Sequence, residues 1–326
     1  MKIVSGMRPT GKLHLGHLMP IEKWVELQNS GNDTQFFIAN WHAYTSHRDT
    51  PQIIDDATLD LVRHYLACGI NPEKSIVFIQ SAVKEHAELS LLLGMLISVS
   101  RLERVPTYKE MQENVKDKDL STIGFLGYPV LMATDILIYK ADAVPVGEDQ
   151  IYHLELAREI ARKFNMTYGV EILKEPQPII SRVAKLPGTD GRKMSKSYDN
   201  SILIDSNAQE LKSKIMPMIT DPARMKRTDP GDPEKCPVWE FHKAFTNSES
   251  EKQWVMGGCK SAGIGCIDCK KVLLKNLEAK MQPIWENLSK ISEDDAREVV
   301  EKGNARAREI ACNTMSEVRC AMKLRW

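Results

Sequence analysis

The chain has 326 residues, enough for one large domain or two ordinary ones with a substantial core. Its 44 Lys and Arg residues balance its 44 Asp and Glu residues, which excludes a wholly basic nucleic-acid coat, so any nucleic-acid face must be a local patch. No apolar run reaches the length of a membrane span, and no secretory leader pattern opens the chain. Seven cysteines do not suggest a secreted disulfide framework, so we expect a cytoplasmic protein.

A glycine-containing turn, Ser5 to His17, lies between the apolar run Lys2-Ile3-Val4 and an amphipathic segment, Leu18 to Gln28. The order of strand, loop and helix aims free backbone N–H groups at a phosphate. Glycines at three positions of the turn allow the backbone to approach a ligand closely. His14 and His17 are three residues apart, so they share a face at the positive end of the predicted helix.

Strands and helices alternate through the next part of the chain. Apolar runs predict strands over 36–40, 75–80 and 143–146, and helices are predicted over 52–68, 85–102, 128–137 and 151–164. The alternation favours a parallel sheet with right-handed crossovers. The charged segment 109–119 is predicted to be an exposed excursion.

After Asp205 the strand signals fade, and helices are predicted over 208–215, 238–245, 270–288 and 293–323. The fold class is therefore α/β, with a Rossmann-like parallel-sheet nucleotide-binding domain and a smaller all-helical carboxyl-terminal domain. We place the boundary near residue 200, giving domains 1–200 and 201–326.

One helix face of the predicted 128–137 segment carries Tyr128, Met132 and Asp135 at spacing i, i+4, i+7. Apolar neighbours flank Asp135, and a carboxylate in such surroundings needs a hydrogen-bond donor or a cation. A ligand N–H or O–H would serve, as would backbone N–H groups. His42, at the carboxyl end of a predicted strand, fits either a ligand contact or a structural role. The turn 147–150 can hold an amino group or a ribose, or simply cap the helix that follows.

The loop from Gly188 to Ser197 combines two glycines with three cations, which suits a lid that closes on a polyphosphate. Lys193 and Lys196 can meet the charge that builds on a leaving pyrophosphate.

Four further cysteines form a candidate metal site: Cys236, Cys259, Cys266 and Cys269. Four thiolates suit tetrahedral zinc or a [4Fe–4S] cluster. A zinc ribbon more often shows two Cys-x-x-Cys pairs, and this region has one. Four unrelated thiols are the third interpretation.

His14-Leu15-Gly16-His17 and Lys193-Met194-Ser195-Lys196-Ser197 together resemble the two signatures of class I aminoacyl-tRNA synthetases. With Tyr128-Pro129, Met132, Asp135 and the segment 146–150, the chain resembles the tryptophanyl-tRNA synthetase family over nearly its whole length. Tyrosyl enzymes also place an acidic residue near the ring substituent, so Asp135 alone does not separate the two. Arg8 and His17 stand where many bacterial members carry Gln and Asn.

The resemblance implies a two-step reaction. The tryptophan carboxylate attacks the α-phosphate of Mg²⁺-ATP, giving tryptophanyl-adenylate and pyrophosphate, and the terminal adenosine 2′-hydroxyl of tRNA then takes the acyl group. The catalytic residues it implies are His14, His17, Lys193 and Lys196. The ATP-binding residues it implies are Arg8, Pro9, Thr10, Gly16, His17, Gly147, Glu148, Asp149, Val183, Lys193, Met194, Ser195, Lys196 and Ser197. The tryptophan-binding residues it implies are Tyr128, Met132, Asp135, Val144, Val146 and Gln150.

The four cysteines resemble those of a bacterial subset of the family that carries a [4Fe–4S] cluster, with zinc as the alternative. The resemblance also implies that the helical domain recognises the tRNA anticodon and completes a homodimer, with no membrane partner. A local basic patch for phosphates, or a set of solvated charges, is available in Arg224, Lys226, Arg227, Lys260, Lys270 and Lys271. Competing interpretations are a tyrosine enzyme, a small-molecule nucleotidylyl transferase and an inactive tRNA-binding paralogue.

Overall fold

The computed structural model describes residues 1–106, 122–180, 186–195 and 198–325. The chain forms two compact units that interleave along the sequence. Unit 1 comprises Met1–Gly11, Glu22–Arg182 and Ile291–Trp326, and unit 2 comprises Lys12–Ile21 and Val183–Lys290. The segments 201–290 and 291–325 therefore lie in different units. The assignment of a catalytic domain to 1–200 and an anticodon-binding domain to 201–326 stays a prediction. The charged segment 109–119 lies outside the described residues.

Unit 1 contains a five-stranded parallel sheet. Its strands are β1 (Lys2–Met7), β2 (Asp33–Ile38), β3 (Ser75–Ile79), β4 (Ala143–Val146) and β5 (Gln177–Ile180). They lie in the order β3-β2-β1-β4-β5, so the strand order reverses between β1 and β4. Such a reversal is where open α/β sheets place their ligands, at the carboxyl ends of the strands. The prediction of a Rossmann-like parallel sheet is confirmed.

Among the described residues before position 170, the helices are α1 (Leu15–Asn29), α2 (Asn40–His47), α3 (Pro51–Ala67), α4 (Glu85–Gly94), α5 (Val99–Leu102), α6 (Ile123–Leu137) and α7 (Ile151–Tyr168). Two predicted boundaries are wrong. Strand β2 ends at Ile38, and Asn40 already begins α2. The helix predicted over 85–102 is broken before Ser98, whose extended backbone starts the separate turn α5.

The last helix, α12 (Glu293–Ala321), packs on β3, α3 and α4 within unit 1. Gly303 makes this approach possible, because a Cβ atom there would lie 1.8 Å from the Val77 carbonyl oxygen. Next to it, the Asn304 side-chain oxygen accepts a hydrogen bond from the Ile79 backbone N–H at 2.8 Å. The carboxyl-terminal helix is thus part of the structure that supports the sheet.

Replacing Gly303 with Ala is expected to lower the free energy of unfolding by about 1–3 kcal/mol, because the added methyl group forces α12 away from β3. Thermal unfolding of the variant measures this loss. The matched control is Gly124→Ala in α6, where an added Cβ meets nothing within 4 Å and raises helix propensity. Equal stability of the two variants would contradict the close helix–strand contact.

Unit 2 is mainly helical. Its later helices are α8 (Ala208–Ile215), α9 (Pro237–Phe245), α10 (Glu249–Lys260) and α11 (Cys266–Leu288). Three were predicted, and α10 was missed because its glycines and charged residues obscure the helical pattern. Among the helices that the structure describes, none is long and apolar enough to cross a membrane.

Candidate active site

Asp135 lies at the centre of a buried hydrogen-bond network in unit 1. The His42 Nε2 atom lies 2.8 Å from Oδ2, the Gln80 Nε2 atom 2.8 and 2.9 Å from the two carboxylate oxygens, and the His86 Nδ1 atom 2.6 Å from Oδ1. Burial opposes ionisation of Asp135, but hydrogen bonds from His42 and His86 outweigh it and lower its pKa. The prediction that this carboxylate is buried and needs donors is confirmed, and side chains rather than backbone groups supply them.

Elements that follow the carboxyl ends of two strands deliver these donors. His42 lies in α2, after β2, while Gln80 begins a short 3₁₀ turn directly after β3 and His86 follows at the start of α4. Sequence reasoning left the role of His42 open and missed Gln80 and His86. A polar residue placed directly after a buried apolar strand is the signal that identifies Gln80.

A second group of polar side chains surrounds Tyr128. Its ring lies 5.5 Å from that of His153, edge to face, and its phenol interacts electrostatically with Arg8. Burial lowers the pKa of His153 to about 4, reinforced by His42 and opposed by Asp149. The His153 imidazole is therefore neutral at pH 7. Arg8, which follows β1, thus interacts with Tyr128, and Asp149, which follows β4, interacts with His153.

The remaining residues predicted for tryptophan or ATP in unit 1 occupy mixed environments. Val144 and Val146 are buried in the hydrophobic core, and Met132 and Gln150 are half-buried. Pro9 is buried and Thr10 is half-buried. Glu148 and Asp149 are exposed in the 3₁₀ turn after Gly147, where an added Cβ would lie 2.7 Å from the Asp149 carboxylate. Their ligand roles stay predictions.

The histidine motif forms a tight turn at the start of α1, in unit 2. The Gly16 backbone N–H donates to His14 Nδ1, and the His14 N–H donates to His17 Nδ1, both at 3.1 Å. The two rings lie 3.9 Å apart. Because both Nδ1 atoms accept hydrogen bonds, each neutral imidazole carries its proton on Nε2, where it can donate to an anionic oxygen.

The lysine loop lies in the same unit as the histidine turn. An antiparallel bridge pairs His14 with Leu203, just beyond the loop. Within the loop, Lys193 is exposed and Met194 is buried, while Ser195 is half-buried. Val183, Lys196 and Ser197 lie outside the described residues.

Asn200 organises this loop and was not anticipated from the sequence. Its side-chain oxygen accepts from the Ser195 N–H at 2.8 Å, and its amide donates to Asp190 Oδ1 at 2.7 Å and to the Lys193 carbonyl at 3.1 Å. Gly188 leaves room for it, since a Cβ there would lie 2.2 Å from the Asn200 amide nitrogen. These hydrogen bonds tie the loop backbone at Lys193 and Ser195 to Asn200.

The four candidate metal-binding cysteines are half-buried in unit 2 and interact electrostatically with one another. Burial, reinforced by the neighbouring thiols, raises the pKa of Cys269 to about 12. Among the described residues, which include all four cysteines, no group of three or more His, Cys, Asp or Glu side chains is placed to hold a metal ion. The metal centre and its identity therefore stay predictions.

Donor groups surround these thiols. The Arg224 guanidinium points Nη1 at the sulfurs of Cys259 and Cys266, at 4.0 and 3.9 Å, and His242 Nε2 lies 3.3 Å from the Cys269 sulfur. Arg224 also donates to two backbone carbonyls.

Lys270 is buried and donates to the carbonyls of Met216 and Met218. Lys270 therefore lies in the interior of unit 2, so its predicted place among surface cations is wrong. Arg224 is half-buried, and its place in a basic patch stays a prediction.

Comparison with known proteins agrees with this arrangement. A family model described as tRNA synthetases class I (W and Y) matches residues 1–282. The chain is 60% identical over 327 residues to a tryptophan–tRNA ligase of Thermotoga maritima, covering 99% of each chain. It is 40% identical to a tryptophan–tRNA ligase of Aquifex aeolicus, covering 99% of this chain and 100% of the other.

A solved tryptophanyl-tRNA synthetase of Campylobacter jejuni, complexed with ADP and tryptophan, superposes with a TM-score of 0.84 at 34% identity. The superposition covers 99% of this chain and 100% of the other. The family model alone spans most of the sequence, and the relatives are matched almost end to end. The chain therefore belongs to the class I tRNA synthetases of the tryptophan and tyrosine family.

Proposed function

We infer that this chain is a tryptophan–tRNA ligase that joins tryptophan to its cognate tRNA through a tryptophanyl-adenylate. The observation that carries the inference is the 60% identity to the Thermotoga maritima ligase over 99% of both chains. The buried Asp135 acceptor fits an indole N–H and a phenol O–H equally, because each is one donor on an otherwise apolar ring, so the sequence identity decides between tryptophan and tyrosine.

The first step joins the tryptophan carboxylate to the α-phosphate of Mg²⁺-ATP and releases pyrophosphate. A carboxylate is already a competent nucleophile at neutral pH, so the protein supplies positioning and charge stabilisation rather than a general base. His14 and His17, with protons on Nε2, donate to phosphate oxygens, and Lys193 and Lys196 neutralise the leaving pyrophosphate. The other residues proposed to contact ATP are those implied by the resemblance.

In the amino-acid site, Asp135 accepts the indole N–H. Four donor contacts already fill its two oxygens, so the indole must share or replace one of them. His42 is the donor nearest the surface, at 8% exposure, whereas Gln80 and His86 are at 0%. We therefore propose that the indole N–H takes the position of His42. Tyr128 and Gln150 hold the polar end of tryptophan, and the pocket walls are Met132, Val144 and Val146.

The second step transfers the acyl group to the terminal 2′-hydroxyl of tRNA. The helical part of residues 201–326 recognises the anticodon.

The protein acts as a homodimer in the cytoplasm. The homodimer is supported by an apolar surface on α4, α5 and α6, three helices that pack together within unit 1. Among the most exposed large apolar side chains there are Leu91, Met95, Val99 and Ile123.

We propose a [4Fe–4S] cluster rather than zinc at the four cysteines. Tetrahedral zinc with Zn–S bonds of about 2.3 Å brings its sulfurs about 3.8 Å from one another. A four-iron cluster is larger and separates its ligands further. The choice of the cluster rests on the resemblance of the cysteine spacing and on the presence of one Cys-x-x-Cys pair rather than two. Arg224, beside two of the sulfurs, would offset the negative charge of the thiolates. Burial lowers the pKa of His242, beside the third sulfur, to about 4, so this imidazole is neutral at pH 7.

Replacing Cys266 with Ser in anaerobically purified protein is expected to reduce bound iron from about four per chain to near zero. Iron and acid-labile sulfide analysis measures this loss, and Cys320→Ser, at an exposed cysteine of α12, is the control. Pyrophosphate exchange should persist in the Cys266 variant. Zinc in the unsubstituted protein would contradict the cluster, and loss of exchange in a folded variant would contradict its non-catalytic role.

The proposed activity is tested by ATP–pyrophosphate exchange with each of the twenty amino acids. Tryptophan alone should support exchange. Exchange driven by tyrosine would be consistent with the fold but would contradict tryptophan as the substrate. No exchange with any amino acid would favour an inactive tRNA-binding paralogue.

A further inference from the structure

Asp135 contacts His86, and His86 in turn contacts Tyr139. Neither His86 nor Tyr139 has a part in the proposed reaction. His86 Nδ1 lies 2.6 Å from Asp135 Oδ1, and His86 Nε2 lies 2.7 Å from the Tyr139 hydroxyl. Both side chains are completely buried in unit 1. The Tyr139 ring also packs against Phe78 of β3 and against His86, with ring centres 5.3 and 5.4 Å apart.

The position of each proton in this chain follows from its neighbours. The ionised Asp135 only accepts hydrogen bonds, so His86 Nδ1 must donate to it, and a neutral imidazole then leaves Nε2 as an acceptor. Burial raises the pKa of Tyr139 well above its usual range, and the charges of Asp135 and Glu85 raise it further, so the phenol keeps its proton and donates to Nε2. Both hydrogen bonds therefore point toward the carboxylate.

We propose that His86 and Tyr139 are positioning residues that fix the Asp135 carboxylate as the acceptor for a ring N–H, and thereby select tryptophan over isosteric rings without that donor. This rests on the proposed role of Asp135 in binding the indole. If the indole displaces His42, the carboxylate keeps Gln80 and His86 as its donors. His86 can hold its oxygen in place because Tyr139 fixes the imidazole tautomer and ring orientation.

The test compares tryptophan with an analogue in which sulfur replaces the ring N–H, a benzothiophene alanine, in pyrophosphate exchange. The unsubstituted enzyme should favour tryptophan by about 100-fold in kcat/KM, since the analogue puts no donor in the position of His42 and leaves the buried carboxylate one hydrogen bond short. Tyr139→Phe removes one hydroxyl and keeps the ring. It should reduce this preference to about tenfold by raising the KM for tryptophan, with kcat and the KM for the analogue nearly unchanged.

Two further variants separate positioning from packing. His86→Asn keeps a donor near the Nδ1 position and should retain more of the preference than His86→Leu, which removes it. Tyr65→Phe deletes another buried phenol of unit 1, packed on Trp24, and should leave the preference at its original value.

Equal rises in KM for both amino acids in Tyr139→Phe would overturn the proposal and reduce the residue to a packing role. An unchanged preference in that variant would also overturn it, while leaving Asp135 as the indole acceptor. An unsubstituted enzyme that fails to distinguish tryptophan from the analogue would overturn both the proposal and the assigned role of Asp135.

Discussion

The variant Asp135→Asn is expected to lose about 100-fold in kcat/KM for tryptophan. Its amide carries two N–H donors where the carboxylate has an acceptor, so one end of the new side chain faces donor groups of His42, Gln80 or His86. The same substitution removes the charge that strengthens the bond to the indole. Steady-state pyrophosphate exchange measures the loss, with Asp55→Asn on the exposed face of α3 as the control. A loss below about threefold would contradict the assigned role of Asp135.

The same variant carries a stability signature that depends on pH. The folded state lowers the pKa of Asp135, so its charge stabilises the fold above the unfolded value of about 3.9, and this contribution is lost as the pH falls through the lower folded value. Thermal unfolding should show a constant deficit of the variant between pH 8 and pH 5, shrinking below about pH 4. A deficit that grew as the pH fell below 4 would contradict the ionised state assigned to this carboxylate.

Lys193→Ala is expected to slow tryptophanyl-adenylate formation by about 100- to 1,000-fold, the size of effect produced by removing one group that stabilises transition-state charge. Tryptophan binding should stay nearly unchanged, because this exposed lysine is assigned to the leaving pyrophosphate and no residue assigned to tryptophan lies in its loop. Single-turnover kinetics and equilibrium tryptophan binding separate the two effects. Lys212→Ala, at an exposed position of α8, is the control. An unchanged single-turnover rate would remove the lysine loop from the mechanism, and we expect the same pattern for Lys196→Ala.

Much of the sheet follows from local sequence patterns. The strands β2, β3 and β4 are short apolar runs bounded by turn residues, and the helix predicted over 52–68 is bounded by Pro51 at its start and by Gly69 after its end. Strand β5 was missed because Gln177 and Pro178 open it and hide its apolar character. The packing of α12 on β3 depends on Gly303 approaching Val77, a contact between positions 226 residues apart that no local pattern encodes.

Some residues of the candidate site can likewise be predicted from local sequence, and others cannot. The burial of Asp135 follows from its apolar neighbours in one helix, and the two signature motifs are contiguous segments. The donors His86 and Gln80 are 49 and 55 residues from Asp135 in sequence, so the topology of the sheet rather than spacing brings them to it. The position of Lys270 was predicted wrongly. Because it lies in a charged stretch, it was predicted to lie at the surface, but it is buried and donates to a backbone carbonyl.

Charging of tRNA with radiolabelled tryptophan tests the central claim most directly. We would use tryptophan tRNA whose terminal adenosine lacks either the 2′- or the 3′-hydroxyl, with labelled tyrosine in parallel. The proposed function predicts stable attachment of tryptophan to the tRNA that keeps its 2′-hydroxyl, little attachment to the tRNA that lacks it, and none with tyrosine. Charging with tyrosine, or no charging with either amino acid, would contradict the assignment of this chain as a tryptophan–tRNA ligase.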